Sequence, residues 1–141
     1  TKKFKKMGRV FFNTRKNVVD IAAAYTIIPS DSGNVFNINQ ASAYEITLPL
    51  MSTIEIGWNA SFVIGTVAAN AVTIANNTAE DSIVGGIAGA DGGAATHAET
   101  AVDEIVFISG AVLGDTCTVL YNGANYCVTG YAADVAHITV S

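Results

Sequence analysis

The 141-residue chain holds seven Lys and Arg against twelve Asp and Glu, a formal net charge of −5, and only 13% of its residues are charged, about half the usual share of a soluble domain. A chain of this length buries roughly 68–70% of its unfolded surface in one core, so it needs no disulfide or metal staple to fold. No apolar stretch approaches the ~20 residues of a spanning helix, which argues against a membrane-spanning role; the start lacks the apolar run and small-residue cleavage site of a secretory signal, so a cytosolic product is expected.

In chain order, the first feature is charge. All seven basic residues, Lys2, Lys3, Lys5, Lys6, Arg9, Arg15 and Lys16, lie in the first sixteen positions, and all twelve acids follow them. The chain therefore divides into an extended basic arm, 1–16, and a body, 17–141, with no Lys or Arg at all. Like charges at a terminus repel one another and usually serve an interaction tail. Phe4, Phe11 and Phe12 stand among the cations, so the arm carries anchors as well as charge, as expected of a segment that orders on a partner. The partner-binding residues expected here are Lys2, Lys3, Phe4, Lys5, Lys6, Arg9, Phe11, Phe12, Arg15 and Lys16. The alternative is that Val10, Phe11 and Phe12 form the first strand of the body. The body itself cannot serve as a nucleic-acid platform, because phosphate neutralisation needs the cations it lacks.

From residue 17 the sequence becomes short β-rich runs bounded by Gly, Asn, Asp, Ser and Pro, and the expected fold is all-β, a single antiparallel sandwich or barrel-like domain. Ser30-Asp31-Ser32-Gly33-Asn34 is a turn. In Tyr44–Leu48 the apolar residues Tyr44, Ile46 and Leu48 share one face, and Pro49 ends the run. Residues 60–65 and 71–76 read as two strands of an antiparallel pair. Residues 82–100, with five Gly and five Ala, offer little to a core and are expected to form a long loop, or a helix over 94–102 capped by Thr96. Further strands are expected at 104–109, 116–120, 125–129 and 136–140. Asn122-Gly123 closes a hairpin. Across it, a two- or four-residue loop would put Cys117 and Cys127 on opposite faces, while a three-residue loop would leave them diagonal and too far apart for a relaxed disulfide; two free thiols are expected.

Chemistry-bearing groups are few. His97 and His137 have no zinc-ligand spacing around them. Gly85-Gly86-Ile87-Ala88-Gly89 is not followed by Gly-Lys-Ser/Thr, and nothing downstream is basic enough to meet a phosphate. The acidic pairs Glu80-Asp81 and Asp103-Glu104 fit solvated charge better than calcium binding or glycosidic catalysis, since neighbours on a strand point to opposite faces. Trp58, Tyr25, Tyr44, Tyr121, Tyr126 and Tyr131 fit core anchors better than a sugar platform. The expectation is a protein with no enzymatic activity, cofactor or metal.

The order and spacing of five motifs carry a resemblance that the single pieces do not. Ile27-Ile28-Pro29-Ser30-Asp31-Ser32-Gly33-Asn34-Val35-Phe36, Ala43-Tyr44-Glu45-Ile46-Thr47-Leu48-Pro49, Trp58-Asn59-Ala60-Ser61-Phe62-Val63-Ile64-Gly65-Thr66, Asn70-Ala71-Val72-Thr73-Ile74 and Asp81-Ser82-Ile83-Val84-Gly85-Gly86 follow one another in an order that resembles tailed-phage capsid decoration, or cement, proteins and some phage fibre modules. The resemblance covers residues 26–86, with 114–140 fitting the closing hairpin; the basic arm lies outside it. It implies a structural protein, often a homotrimer (a dimer is the other option), synthesised in the host cytoplasm and seated on the outer capsid surface of the virion. There it would clamp neighbouring copies of the major capsid protein, without binding a membrane or specific nucleic acid. The alternatives are a fibre or receptor-binding module that recognises a cell-surface glycan, and an arm that anchors internal nucleic acid.

Overall fold

The structure, a computed structural model, describes residues 15–77 and 81–141. The protein is all-β. Twelve strands among the described residues form two packed sheets: β1 Val18–Ile21, β2 Tyr25–Thr26, β3 Val35–Asn39, β4 Tyr44–Thr47, β5 Asn59–Thr66, β6 Val72–Ala75, β7 Ile83–Gly89, β8 Thr96–Val102, β9 Glu104–Phe107, β10 Thr116–Tyr121, β11 Tyr126–Ala132 and β12 Ile138–Val140. The larger sheet runs β1-β3-β5-β10-β11-β7-β8 and the smaller β12-β9-β6-β4-β2.

Period-two burial makes each run a strand with one inward face. In β5, Ala60, Phe62 and Ile64 are buried while Asn59, Ser61 and Val63 are only partly covered. In β3, Phe36 and Ile38 turn inward, in β6 Val72 and Ile74, and in β9 Ile105 and Phe107. These side chains fill one core between the sheets. Phe36 stacks on Phe62 with ring centroids 5.3 Å apart and planes 20° from parallel, and Trp58 meets Tyr126 edge-on at 6.0 Å. The Tyr126 hydroxyl, which burial holds among apolar groups, donates to the Pro49 carbonyl, so the aromatic handle is satisfied.

The sheets are mixed, where a purely antiparallel arrangement was expected. β1, β3 and β5 are parallel in the larger sheet, and β2, β4 and β6 are parallel in the smaller. The first six strands therefore alternate between layers, and the chain winds as a flattened coil in which each turn gives one strand to each sheet. Parallel neighbours need a crossover, and here the crossover is a strand of the opposite layer. The rest of the chain closes the sandwich mainly by antiparallel pairing, β10 with β5 and β11, β9 with β6 and β12, and β7 with β8.

Two local expectations are corrected. The runs at 60–65 and 71–76 do form strands, but they do not pair with each other: β5 lies in the larger sheet and β6 in the smaller. The Gly/Ala-rich stretch 82–100 is neither a long loop nor a helix but the β7–β8 hairpin, and β7 also pairs in parallel with β11. Its glycines are what permit this. Gly85 sits at φ +110°, and a Cβ there would run into the Val128 backbone; one on Gly86 would strike the Thr96 carbonyl. A strand can thus be specified by close backbone approach instead of by bulky side chains.

The β10–β11 hairpin pairs Tyr121 with Tyr126 around a four-residue loop, 122–125. The Asn122 side chain accepts from the Ala124 and Asn125 amides at 2.9 and 2.8 Å, and Gly123 takes φ +100°. With this loop length Cys117 points into the core and Cys127 to the other face, and both thiols are free.

Candidate docking surface

The root of the arm is fixed by backbone bonding. The Val35 amide donates to the Asn17 carbonyl at 2.9 Å, and the Asn17 side chain donates to that of Asn34 at 3.3 Å. Asn17 thus leads into β1, an outermost strand of the larger sheet, at the end where β3 and β5 begin and β10 finishes. The same end is tied by the Gly33 amide to the Asn59 carbonyl at 2.7 Å and by the Tyr121 amide to the Trp58 carbonyl at 2.8 Å. Among the described residues β1 pairs only with β3, and Val18 is 60% exposed. Of the expected partner-binding residues, Arg15 and Lys16 are exposed here. Lys2, Lys3, Phe4, Lys5, Lys6, Arg9, Phe11 and Phe12, and with them the alternative first strand through Val10, lie outside the described residues.

Two adjoining grooves open at this end and share Pro29 and Thr53. The larger, about 320 Å³, is walled by Pro29, Ile54, Ile56 and Trp58, with Glu55 and Ser32 among its polar members. The smaller, about 200 Å³, lies between Ile28, Pro49 and Leu50. Ile56 is 75% exposed and Ile28 52%. Trp58 forms the floor: it is buried, and its indole N–H donates to the Pro29 carbonyl at 3.0 Å. Beside it, Asp31 accepts from the Ile28 amide at 3.0 Å and from the Asn34 side chain at 3.2 Å, which shapes the turn carrying Ile28 and Pro29. Its proximity, with burial as the larger cause, holds the Tyr25 hydroxyl above its ordinary pKa. The sequence signal for this surface is Ile54-Glu55-Ile56-Gly57, an apolar alternation that reaches no strand.

The other chemistry-bearing groups lie away from these grooves. Asp115 is buried; its carboxylate accepts from the Val112 amide at 2.9 Å and the Ala133 amide at 2.8 Å, and lies 2.7 Å from His137 Nδ1. It ties three loop segments together, a role that Gly114-Asp115 does not announce in the sequence. His97 is exposed on β8. A hydrogen bond to Asp81 raises the Asp103 carboxyl above the usual range, with desolvation and the charges of Asp81 and Glu104 adding to it. Among the described residues, no group of three or more His, Cys, Asp or Glu could hold a metal ion. Gly85-Gly86-Ile87-Ala88-Gly89 is strand, not a phosphate loop. Trp58 and Tyr126 are buried, Tyr25, Tyr44 and Tyr121 pack against the core, and Tyr131 is exposed.

The surface thus pairs an apolar, acid-edged groove with the root of a cationic, phenylalanine-bearing segment. It offers binding area and opposite charge, and its lining holds no matched acid, base and nucleophile. No protein-family model and no curated protein sequence matches the chain.

Proposed function

We propose that this protein is a capsid decoration (cement) protein of a tailed phage: a non-enzymatic homotrimer on the outer surface of the head that clamps neighbouring major capsid subunits through its basic arms. The observation that carries the reading is the separation of charge along the chain, +7 in residues 1–16 and −12 in the remainder, joined to a rigid two-sheet body at an outermost strand. The resemblance of the motif order over residues 26–86 supports the same reading. A clamp of this kind stabilises the assembled shell by mass action, because it binds the assembled state and not the free subunit. Three arms on one trimer raise avidity ~10²–10⁴-fold over a single contact. Cations steer the approach and Phe4, Phe11 and Phe12 supply the apolar anchors. The glycan-binding alternative needs a shared aromatic face, whereas Trp58 and Tyr126 are core residues.

The test is co-sedimentation with expanded phage heads lacking decoration. The full chain is expected to saturate the shell and raise its melting temperature, and a chain lacking residues 1–14 is expected to lose at least 100-fold in affinity while keeping its β-rich circular dichroism. Undiminished binding by the truncated chain would remove the arm from the mechanism.

A further inference from the structure

The grooves over Trp58 leave large apolar side chains in water at one end of the sandwich, and the sequence supplies one segment suited to cover them. We propose that in the free protein the chain's own basic arm docks there, with Phe11 and Phe12 seated between Ile54, Ile56 and Trp58, so that the arm is parked on its own body until a partner competes for it. This concerns the isolated chain and does not depend on what that partner is.

Three observations carry it. The first is position. The arm is rooted at Asn17, bonded to Val35 and Asn34, and the groove takes in Trp58, the residue before β5, and Ser32, three residues before β3. Two strand spacings of ~4.8 Å separate β1 from β5, and the five residues from Phe12 to Asn17 span up to ~17 Å. The arm therefore reaches the groove without strain, and its effective concentration there is on the order of millimolar, well above that of a second molecule in dilute solution.

The second is room. An apolar cavity of ~150 Å³ accepts benzene, and the larger groove measures about 320 Å³. The third is charge. Glu55 stands on the groove wall, and no residue from 17 to 141 is Lys or Arg, so the Lys and Arg cations that this carboxylate can meet within the chain are those of the arm. Aromatic anchors flanked by cations, facing an apolar groove that carries the Glu55 carboxylate, are complementary in both terms.

The experiment uses the full chain with a photo-crosslinking benzoylphenylalanine in place of Phe12, prepared both unlabelled and ¹⁵N-labelled, mixed in equal amounts at low micromolar concentration, irradiated and mapped by mass spectrometry. Cross-links are expected to fall on residues 54–58 and 28–32, in molecules of a single isotopic kind. The Ile56→Lys variant, which removes an exposed apolar wall and adds a repelling charge, is expected to cut their yield at least tenfold. Glu55→Gln, which leaves the wall intact, is expected to lower the yield several-fold at low salt and to show no further loss in 1 M NaCl. Mixed-isotope products would assign the groove to the arm of a second copy and overturn the proposal. Cross-links scattered over the body, or a yield indifferent to both variants, would overturn it equally.

Discussion

Asp115 is a small residue whose loss the structure makes costly. Its side chain is 2% exposed, and it meets three groups from three segments: the Val112 amide before β10, the Ala133 amide after β11, and His137 in the turn before β12. Truncation to Ala leaves two backbone donors and a ring nitrogen without their acceptor. A buried donor left unsatisfied costs about 1–3 kcal/mol. His137 is 17% exposed at its side chain, so water can serve it and its share is small. The expected loss is then about 3–5 kcal/mol, a large part of the ~5–15 kcal/mol that holds a domain folded, and corresponds to a fall of roughly 10–15 °C in melting temperature. Asp115→Asn keeps one acceptor oxygen but turns an N–H₂ toward a donor, and should cost about half as much. His137→Ala leaves both amide bonds in place and should cost about 1–2 kcal/mol. Because His137 and Asp115 share a contact, the Asp115→Asn/His137→Ala double variant should be less damaging than the sum of the two. Urea titrations followed by circular dichroism read all four. A loss below 0.5 kcal/mol for Asp115→Ala, with an unchanged denaturant slope, would show that the carboxylate is not the tie that holds these loops.

Other consequences are equally direct. Phe36→Ala and Phe62→Ala should each cost about 3–5 kcal/mol, and because the rings stack, a double-mutant cycle should return a coupling of about 0.5–1.5 kcal/mol; additive losses would deny the contact. Gly85→Ala should destabilise by several kcal/mol, since the new methyl meets the Val128 backbone at a positive φ and cannot be accommodated without parting β7 from β11; a neutral result in thermal melts would refute that close approach. Burial pushes the Cys117 thiol from an ordinary value of 9.0 to about 12 and raises the Tyr126 hydroxyl as well, the nearby Tyr121 adding to it. The folded state therefore keeps protons that the unfolded chain releases, so the contribution of these two groups is level below pH 9 and falls as pH rises toward 12. At pH 11 the thiol alone should remove about 3 kcal/mol. Urea midpoints between pH 8 and pH 11 check this, and a Cys117→Ala chain with an equally steep alkaline decline would exclude the thiol as the cause.

The parts of this fold that the sequence discloses are those written in side-chain alternation. Tyr44–Thr47, Asn59–Thr66, Val72–Ala75 and Thr116–Tyr121 each place apolar residues on every second position, and a half-buried strand is the only regular structure that uses that spacing. Alternation does not record the neighbour, however. β5 and β6 carry the same in-and-out pattern whether they pair with each other or face each other across the core, so the parallel winding of β1 to β6 could not be read from it. The β7–β8 hairpin escaped for the opposite reason: its strand character rests on backbones brought together at Gly85 and Gly86, and a missing side chain leaves no periodicity to detect.

The same distinction governs the surface. Charge is a property of composition, so the cationic arm and the anionic body are visible before any folding. The groove is a product of topology, because it forms only when the coil brings the turn at Pro29, the segment Ile54–Glu55–Ile56 and Trp58 to the end of the sheet from which the arm departs. Asp115 and His137 belong to this second class: twenty-two positions apart, they meet because the segments before β10 and after β11 lie side by side. In such a body the buried Asp115 is spent on holding loops together. The arm is rooted beside an end of the sandwich that leaves Ile28 and Ile56 exposed, so the charge written in composition and the groove made by topology meet at one place on the molecule.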